Sequence, residues 1–323
     1  QSVTDLTTYV PNGVQSWLSD TLHGVDIYAK GFVSDPTLFF DPSDASSLGF
    51  GTLGEPYNTQ VQLQNAVNGN MGKHVLGMMR GTTLRVTGTN GLTLSICGTA
   101  ADPFIICPYG DALALPKITG GALVPWTVHN VGANIWKNTI GATEHDVWQS
   151  DVRLLKKAFS VSADILYIRP FDGASPNDGT VEVSVVDHVL NIAYADVSAT
   201  GYIHLAGLDC SKSRDNCVQF SQGASIASIA TVDDISIVGC KSSNVGVDKV
   251  GTGLGMDCFL VYGVSDAIRL TNLYVAGNYA TDTLNNAYEF AATSGLVHEH
   301  NKAYKTGGHG ICELGVTGDS RVS

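Results

Sequence analysis

The segment GLVHEHNKAYKTGGHGICELG at residues 295–315 concentrates side chains that can transfer protons. Glu299 lies between His298 and His300, and His309 follows after a glycine-containing turn. Carboxylates and imidazoles are common general acids and bases in enzymes. Because only 15% of the chain is charged, this grouping is a candidate catalytic segment. The alternative is that the histidines fill the core and the other groups cap turns.

The same segment does not predict a metal site. Alternate residues of a strand face opposite sides, so only His298 and His300 would point the same way. A metal needs further protein ligands, and the sequence identifies no third one. The seven cysteines contain no CxxC pair, and we expect reduced thiols from a cytosolic synthesis, with a Cys210–Cys217 disulfide as the alternative. We therefore expect no metal and no other cofactor.

Short apolar runs recur in the second half of the chain. One family is NCVQF at 216–220, DCFLV at 257–261, NAYEF at 286–290 and HGICEL at 309–314. A second is DDISIVGC at 233–240, DAIRLTNL at 266–273 and GLVHEHNKA at 295–303, in which we align Asn272 with Asn301. Short strands separated by turns of variable length predict a parallel β-solenoid from about residue 180. An antiparallel sandwich is the alternative, but its Asn-Gly hairpin signals occur only before this region.

Stacked strands would bring carboxyl groups to spacings that suit sugar chemistry. Neighbouring strands lie about 4.8 Å apart, and glycosidases separate their two carboxyls by about 5–5.5 Å or about 6.5–9.5 Å. We predict that Glu289 points outward beside Leu260 and Cys312, and that Asp257 lies nearby without touching it. The strand starts would form one column, which we list as Asn216, Asp257, Asn286 and His309.

The catalytic candidates are therefore Glu289, Asp257 and Glu299, with His309 assisting at the substrate. Glu299 faces outward if His298 faces the core, whereas it faces inward and needs a partner if Val297 does. The alternative for Asp257 is a turn residue that bonds backbone groups, and for Glu289 a solvated position. Elimination instead of hydrolysis would require a base, for which Lys302, Tyr304 and Lys305 are candidates.

Composition excludes several classes of protein. The 323 residues are 44% hydrophobic, which excludes a disordered chain. The net charge of −12 argues against a nucleic-acid partner, although a local basic patch could still hold an anion. No apolar run is long enough for a membrane helix, so we expect no membrane insertion. The N-terminus has no signal-peptide pattern.

Three parts are distinguished along the chain. Residues 1–30 predict a helical leader or neck, 31–150 an N-terminal cap with the first coils, and 151–323 a parallel β-helix. The cap includes a short helix with Val61, Leu63 and Val67. Trp126 and Trp136 are candidate platforms for sugar rings, with core filling as the alternative.

Four stretches of the sequence resemble a known family. GTAADPFIICPYGDALALPKITG, NIWKNTI and ADILYIRPFDGASPNDGTVEVSVVDHVLNI resemble the opening of pectate-lyase-like right-handed parallel β-helices, and GLVHEHNKAYKTGGHGIC is similar to their later coils. The resemblance implies an all-β fold, a right-handed parallel β-helix. With the helical leader it is most similar to bacteriophage tailspikes, which depolymerise capsule or O-antigen.

This resemblance implies partners and a location. We expect a homotrimer in the virion tail, made in the host cytoplasm, that binds a bacterial surface polysaccharide and other tail proteins. Hydrolysis is the expected reaction; a polysaccharide lyase or epimerase, or a non-catalytic carbohydrate-binding spike, are the alternatives. Lys302 and Tyr304 are expected substrate contacts. The uncapped ending GVTGDSRVS is interpreted as the end of a fragment, or as a surface that a partner chain covers.

Overall fold

The computed structural model describes residues 36–44, 48–68, 75–140, 146–154, 159–162, 165–194, 201–222, 232–246, 256–262, 270–314 and 321–322. The predicted leader at 1–30 lies outside this part of the chain. Within it, no helix is both long enough and apolar enough to cross a membrane. All seven cysteines are free thiols, Cys210 and Cys217 included.

The described elements are short strands and one α-helix. Before residue 120 the structure has β1 (Leu38–Phe40), α1 (Gln60–Val67), β2 (Val75–Met79), β3 (Thr83–Arg85), β4 (Leu92–Ile96), β5 (Phe104–Tyr109) and β6 (Lys117–Thr119). A middle group follows, with β7 (Gly121–Ala122), β8 (Thr127–Asn130), β9 (Ile135–Thr139), β10 (Val147–Gln149), β11 (Val152–Arg153), β12 (Phe159–Ser162), β13 (Ile165–Ile168) and β14 (Val181–Ser184).

The last group contains fifteen strands. They are β15 (Leu190–Tyr194), β16 (Gly201–Ala206), β17 (Asp209–Ser213), β18 (Val218–Gln222), β19 (Val232–Val238), β20 (Lys241–Val245), β21 (Phe259–Tyr262), β22 (Leu270–Ala276), β23 (Tyr279–Thr283), β24 (Tyr288–Ala291), β25 (Thr293–Ser294), β26 (Val297–Glu299), β27 (Lys302–Thr306), β28 (Ile311–Leu314) and β29 (Arg321–Val322).

Three parallel sheets organise the first and last groups. Sheet A has the order β1-β2-β5-β16-β19-β22-β26-β29 with β25 added on β22, sheet B has β27-β23-β20-β17-β6-β3, and sheet C has β28-β24-β21-β18-β15-β4. From β16 to β24 the chain visits A, B and C in turn, three times over, and the same order holds from β2 to β4. The predicted all-β class with parallel sheets is confirmed, and parallel pairing already begins at β1 and β2.

The register in sheet C matches the predicted repeats. Val218, Phe259, Tyr288 and Ile311 are partners across neighbouring strands, which places the four aligned runs side by side. The register in sheet A differs from the predicted one. Val275 is paired with His298, so Asn301 is aligned with Asn278 of the neighbouring strand and not with Asn272. The shift arises because Asn272 lies inside β22 in a left-handed conformation (φ 55°) instead of after the strand.

Inward-facing side chains of all three sheets meet in one hydrophobic core. In sheet B the inward column includes Leu84, Ile118, Cys210 and Ala280, while the residues on either side of each face away. This alternation follows from the pleat, in which successive side chains point to opposite faces. It therefore decides which residues of sheet B can reach a ligand.

The helix α1 covers one end of this core. Thr59 caps it, accepting a hydrogen bond from the Gln62 backbone N–H while the Gln62 side chain bonds back to the Thr59 N–H. Leu63 and Val67, one turn apart, are fully buried, whereas Val61 is exposed. The helix predicted here is confirmed.

The middle group is antiparallel and interrupts the succession of sheets between β6 and β15. It forms the sheets β11-β10-β14-β7 and β12-β13-β9-β8, which share a second small core. Trp126 is 3% exposed inside that core, and Trp136 is partly buried against it. The β10–β11 turn and the segment before β14 project toward sheet B, where they form one wall of the candidate site.

Candidate functional site

The predicted column of strand starts is present, and its side chains bond the backbone of the next strand. Asn216 Oδ1 accepts from the Asp257 N–H at 3.0 Å, and Asp257 Oδ1 accepts from the Asn286 N–H at 2.8 Å. Asn286 Oδ1 accepts from the His309 N–H at 2.9 Å, and the His309 side chain is exposed. These side chains therefore bond backbone groups, which is the role that the sequence analysis gave as the alternative for Asp257.

Asp257 and Glu289 touch each other, and the prediction that they share a groove without contact is wrong. Both carboxyls converge on Asn286, which donates its backbone N–H to Asp257 and its side-chain amide to Glu289 at 2.7 Å. Asp257 is 0% and Glu289 7% exposed. Burial, and then the charge of Glu289, raise the pKa of Asp257 to about 7. Protonation of Asp257 removes the repulsion between the two adjacent carboxylates.

Replacing Asp257 by Asn should remove a pH dependence of stability. The raised pKa means that the folded protein holds the proton more tightly than the unfolded chain, so stability falls as pH rises from about 4 through about 7. Asn at this position still accepts from the Asn286 N–H but carries no charge. We expect Asp257→Asn to be more stable than wild type by about 2 kcal/mol at pH 8 and nearly equal to it at pH 4.

Urea unfolding at both pH values measures this difference. Asn216→Asp, which places a carboxyl on the preceding position of the same column, should have the opposite effect at pH 8. Equal pH slopes for wild type and Asp257→Asn would contradict the raised pKa of Asp257.

The opening segment divides between the core and the surface. His298 is 3% exposed and packs edge-on against the rings of Tyr288 and Phe290, so burial lowers its pKa to about 4. Because His298 faces the core, Glu299 faces away from it and accepts from the Tyr274 hydroxyl at 2.9 Å. Glu299 therefore lies in β26 of sheet A, whereas Glu289 lies in β24 of sheet C and Asp257 just before β21 of the same sheet.

The predicted substrate contacts also separate. Lys302 and Tyr304 are exposed on the outward face of sheet B, at the end formed by β27. Tyr304 is 57% exposed, with Lys305 Nζ 5.4 Å from its ring centre. Trp126, in contrast, is buried in the second core and has no free ring face for a sugar, so core filling describes it. The partly buried Trp136 donates its indole N–H to Asn134 at 2.9 Å.

An open cleft of about 300 Å³ lies over the other end of sheet B. Its floor comes from Thr83 and Arg85 of β3 with Lys117 and Thr119 of β6. Its wall comes from the middle group, through Ser150, Asp151, Gly179, Thr180 and Glu182. The cleft gathers two carboxylates, Asp151 and Glu182, which are distant in sequence from the sheet residues. Sequence analysis did not identify this site.

Lys212 anchors both carboxylates from beneath the cleft. Its side chain is fully buried, and its ammonium group contacts Glu182 Oε2 and Asp151 Oδ1. Glu182 also contacts Arg85, and Asp151 lies 3.8 Å from Lys117 Nζ. Two oxygens that accept from one nitrogen lie at most about 6 Å apart, so Lys212 fixes the separation of Asp151 and Glu182.

Gly121 makes room for this arrangement. A Cβ at that position would lie 2.8 Å from Lys212 Cδ and 3.2 Å from Glu182 Oε1. The backbone contributes as well, because Lys212 and Asp151 both have left-handed φ angles, 66° and 62°. Such conformations are costly outside glycine and persist where the surroundings enforce them.

The pKa values of Asp151, which lines the cleft, and of Asp209, on the strand next to its floor, are shifted in opposite directions. Asp209 is half-buried on β17, directly beside Lys117 in register. Burial raises the pKa of Asp209, with the charge of Asp151 adding to it, despite the opposing charges of Lys117 and Lys241. For Asp151, burial would raise the pKa, but the hydrogen bond and charge of Lys212 lower it. Carboxyls whose environments separate their pKa values are suited to acid and base roles.

Asp233 and Asp234 are adjacent carboxyls near the start of β19. Asp233 accepts from Thr271 Oγ1 and Asn272 Nδ2, both at 2.7 Å, and hydrogen bonds of this kind outweigh burial and lower its pKa. Across the described ranges, no group of three metal-ligating side chains is found. The Asp233 carboxylate thus accepts hydrogen bonds from side chains of the neighbouring strand β22.

Comparisons with known proteins give only weak structural similarities. No family model and no curated protein sequence matches the chain. Among solved structures, it is similar to a protein described as XylC in complex with xylose (10% identity, TM-score 0.48, 87% of this chain and 64% of that one). It is also similar to the GH136 lacto-N-biosidase of Eubacterium ramulus (13%, 0.46, 82% and 44%) and to a rhamnogalacturonan lyase (11%, 0.25, 80% and 73%). The chain thus spans less than two thirds of the first two, and TM-scores below 0.5 establish no shared activity.

Proposed function

We propose that this protein binds a polysaccharide at sheet B and hydrolyses its glycosidic bonds in the cleft. The observation that carries the proposal is the open cleft lined by Asp151 and Glu182, with Asp209 paired in register with Lys117 of its floor. The pKa of Asp209 is raised and that of Asp151 is lowered, in keeping with different roles for the two carboxyls. Hydrolysis of this kind needs one carboxyl that gives a proton and one that takes it.

The roles follow from the environments. Asp209 retains its proton to a higher pH than an ordinary aspartate and would give it to the leaving glycosidic oxygen. Asp151 has a 62% exposed side chain and would take a proton from the attacking water. Lys212 acts on Asp151 from below as a positioning residue, and Glu182, between Lys212 and Arg85, holds that lysine in place.

The Asp257–Glu289 pair is the second candidate for the acid and base, as the sequence suggested. The observation in its favour is the pKa of about 7 for Asp257, which lies near the pH at which proton transfer is most effective. Asp257 and Glu289 are buried, however, and a sugar must reach the carboxyl that protonates it. The open cleft is therefore the preferred catalytic site. If this pair is catalytic, Glu299 remains a further candidate acid or base, and His309 a candidate substrate contact.

The wider assignment is a bacteriophage tailspike-type depolymerase. It is supported by the sequence resemblance and by the recurring order of sheets A, B and C, which is how a right-handed parallel β-helix would wind. On this proposal the chain is part of a homotrimer in the virion tail, and its substrate is a capsule or O-antigen. A polysaccharide lyase and a non-catalytic spike remain its competitors.

Incubation with purified capsules and lipopolysaccharides from a strain panel tests the proposal. We expect some polymer to shorten without the ultraviolet absorbance of unsaturated uronates, because hydrolysis leaves no double bond. Shortening with that absorbance would show a lyase. Retained binding without shortening of any polymer would leave a carbohydrate-binding spike.

A further inference from the structure

The outward face of sheet B carries lysines at a regular spacing. In register, one column runs through Lys117, Asp209, Lys241, Tyr279 and Lys302, on five neighbouring strands from β6 to β27. Lysine therefore recurs on every second strand. Since neighbouring strands lie about 4.8 Å apart, the lysines are about 9.6 Å from one another along the sheet.

This column faces away from the hydrophobic core. The residues that follow Lys117, Asp209 and Tyr279 are Ile118, Cys210 and Ala280, which are buried in it. Lys302 is exposed, and Lys117, Lys241 and Tyr279 are partly exposed. A ligand lying across the strands would thus meet the column along its whole length.

The face is positively charged although the chain is not. The column and the adjoining cleft contain the carboxylates of Asp151, Glu182 and Asp209. Against them stand four cationic side chains with exposed surface, namely Arg85, Lys117, Lys241 and Lys302, together with the buried Lys212. Asp282 and Lys305 on this sheet form an ion pair, with Lys305 Nζ 3.6 Å from Asp282 Oδ1, and their charges cancel. The whole chain has a net charge of −12, so the excess is local and is suited to an anionic ligand.

We propose that this column binds a polysaccharide whose acidic groups recur on alternate sugars. Each lysine would meet one acidic group, and Tyr279, between Lys241 and Lys302, would pack against the intervening neutral ring. The inference rests on the proposed function, because it places at Asp209 the neutral sugar between those held by Lys117 and Lys241, and with it one of that sugar's two glycosidic bonds. It also gives Lys302 a role in binding.

Affinity for hyaluronan, which carries one carboxylate for every two sugars, tests the inference. Calorimetry at low ionic strength should show binding to hyaluronan oligosaccharides and none to neutral dextran of equal length. Lys241→Gln and Lys302→Gln should each weaken binding about three- to fivefold, the range of a partly exposed ion pair. Lys137→Gln, on β9 outside sheet B, is the matched control and should bind as wild type does.

Three results would overturn the inference: no hyaluronan binding, equal binding of dextran, or unchanged affinity in both lysine variants. Equal binding of single-stranded DNA with the same lysine dependence would also overturn it, in favour of a general polyanion surface. Failure of the proposed function is distinct. In that case hyaluronan binds through the lysines while no polymer of the strain panel is shortened.

Discussion

Asp209→Asn and Asp151→Asn are each expected to lower kcat/KM by about 100-fold to 10,000-fold on the polymer that the protein cleaves. Asn keeps the size of each side chain but can neither give nor take the proton. Asp111→Asn, at an exposed position outside the cleft, is the control and should retain wild-type turnover. Reducing-end release at saturating and limiting polymer separates kcat from KM.

The pH profile adds a readout that a structural role would not change. Activity should fall at high pH as Asp209 loses its proton and at low pH as Asp151 gains one, and the raised and lowered pKa values widen the interval between the two limbs. Residual activity of Asp209→Asn should lack the alkaline limb. A variant that retains this limb, or loses less than tenfold, would contradict the role of Asp209 as the acid.

Lys212→Met should lower the free energy of unfolding by about 3 kcal/mol. Removing one partner of a buried ion pair leaves the other charge uncompensated, at a typical cost of about 3–5 kcal/mol. The lower value is expected here because Asp151 is largely exposed and Glu182 keeps Arg85. Methionine retains most of the aliphatic volume in the space beside Gly121.

Lys305→Met provides the matched control for that change. Both lysines occupy the same position of sheet B, with left-handed φ angles of 66° and 53°, but Lys305 is 59% exposed. Its ion pair with Asp282 should contribute less than about 1 kcal/mol. Urea unfolding that shows equal losses for the two variants would mean that the buried network does not hold the cleft together.

The sequence was sufficient for the strands that repeat a visible pattern. The four runs of sheet C could be aligned because each begins with a polar turn residue at a fixed distance from its apolar pair, and that register is confirmed at Tyr288 and Ile311. Sheet A was aligned wrongly because Asn272 and Asn301 are alike in type. The strand pairing and the hydrogen bonds of the structure show that Asn278 is the partner of Asn301.

The cleft could not be found in the same way. Lys212 and Glu182 are 30 residues apart, and Arg85 is 97 residues from Glu182, across the whole middle group. Their contact depends on how that group folds back over sheet B, and no local spacing encodes this. The sequence contained one weak signal. Lys212 lies within a strand, and a charged side chain that is buried there requires a partner of opposite charge.

The most direct test of the proposed hydrolysis compares two double variants with wild type on the cleaved polymer, by release of reducing ends. The double variant Asp151→Asn with Asp209→Asn removes the proposed base and acid. The double variant Asp257→Asn with Glu289→Gln removes the two buried carboxyls of sheet C. Circular dichroism and melting curves establish that each protein is folded. We expect the first double variant to be inactive and the second to retain most of the wild-type rate. The reverse result would contradict the cleft as the catalytic site and assign the reaction to Asp257 and Glu289.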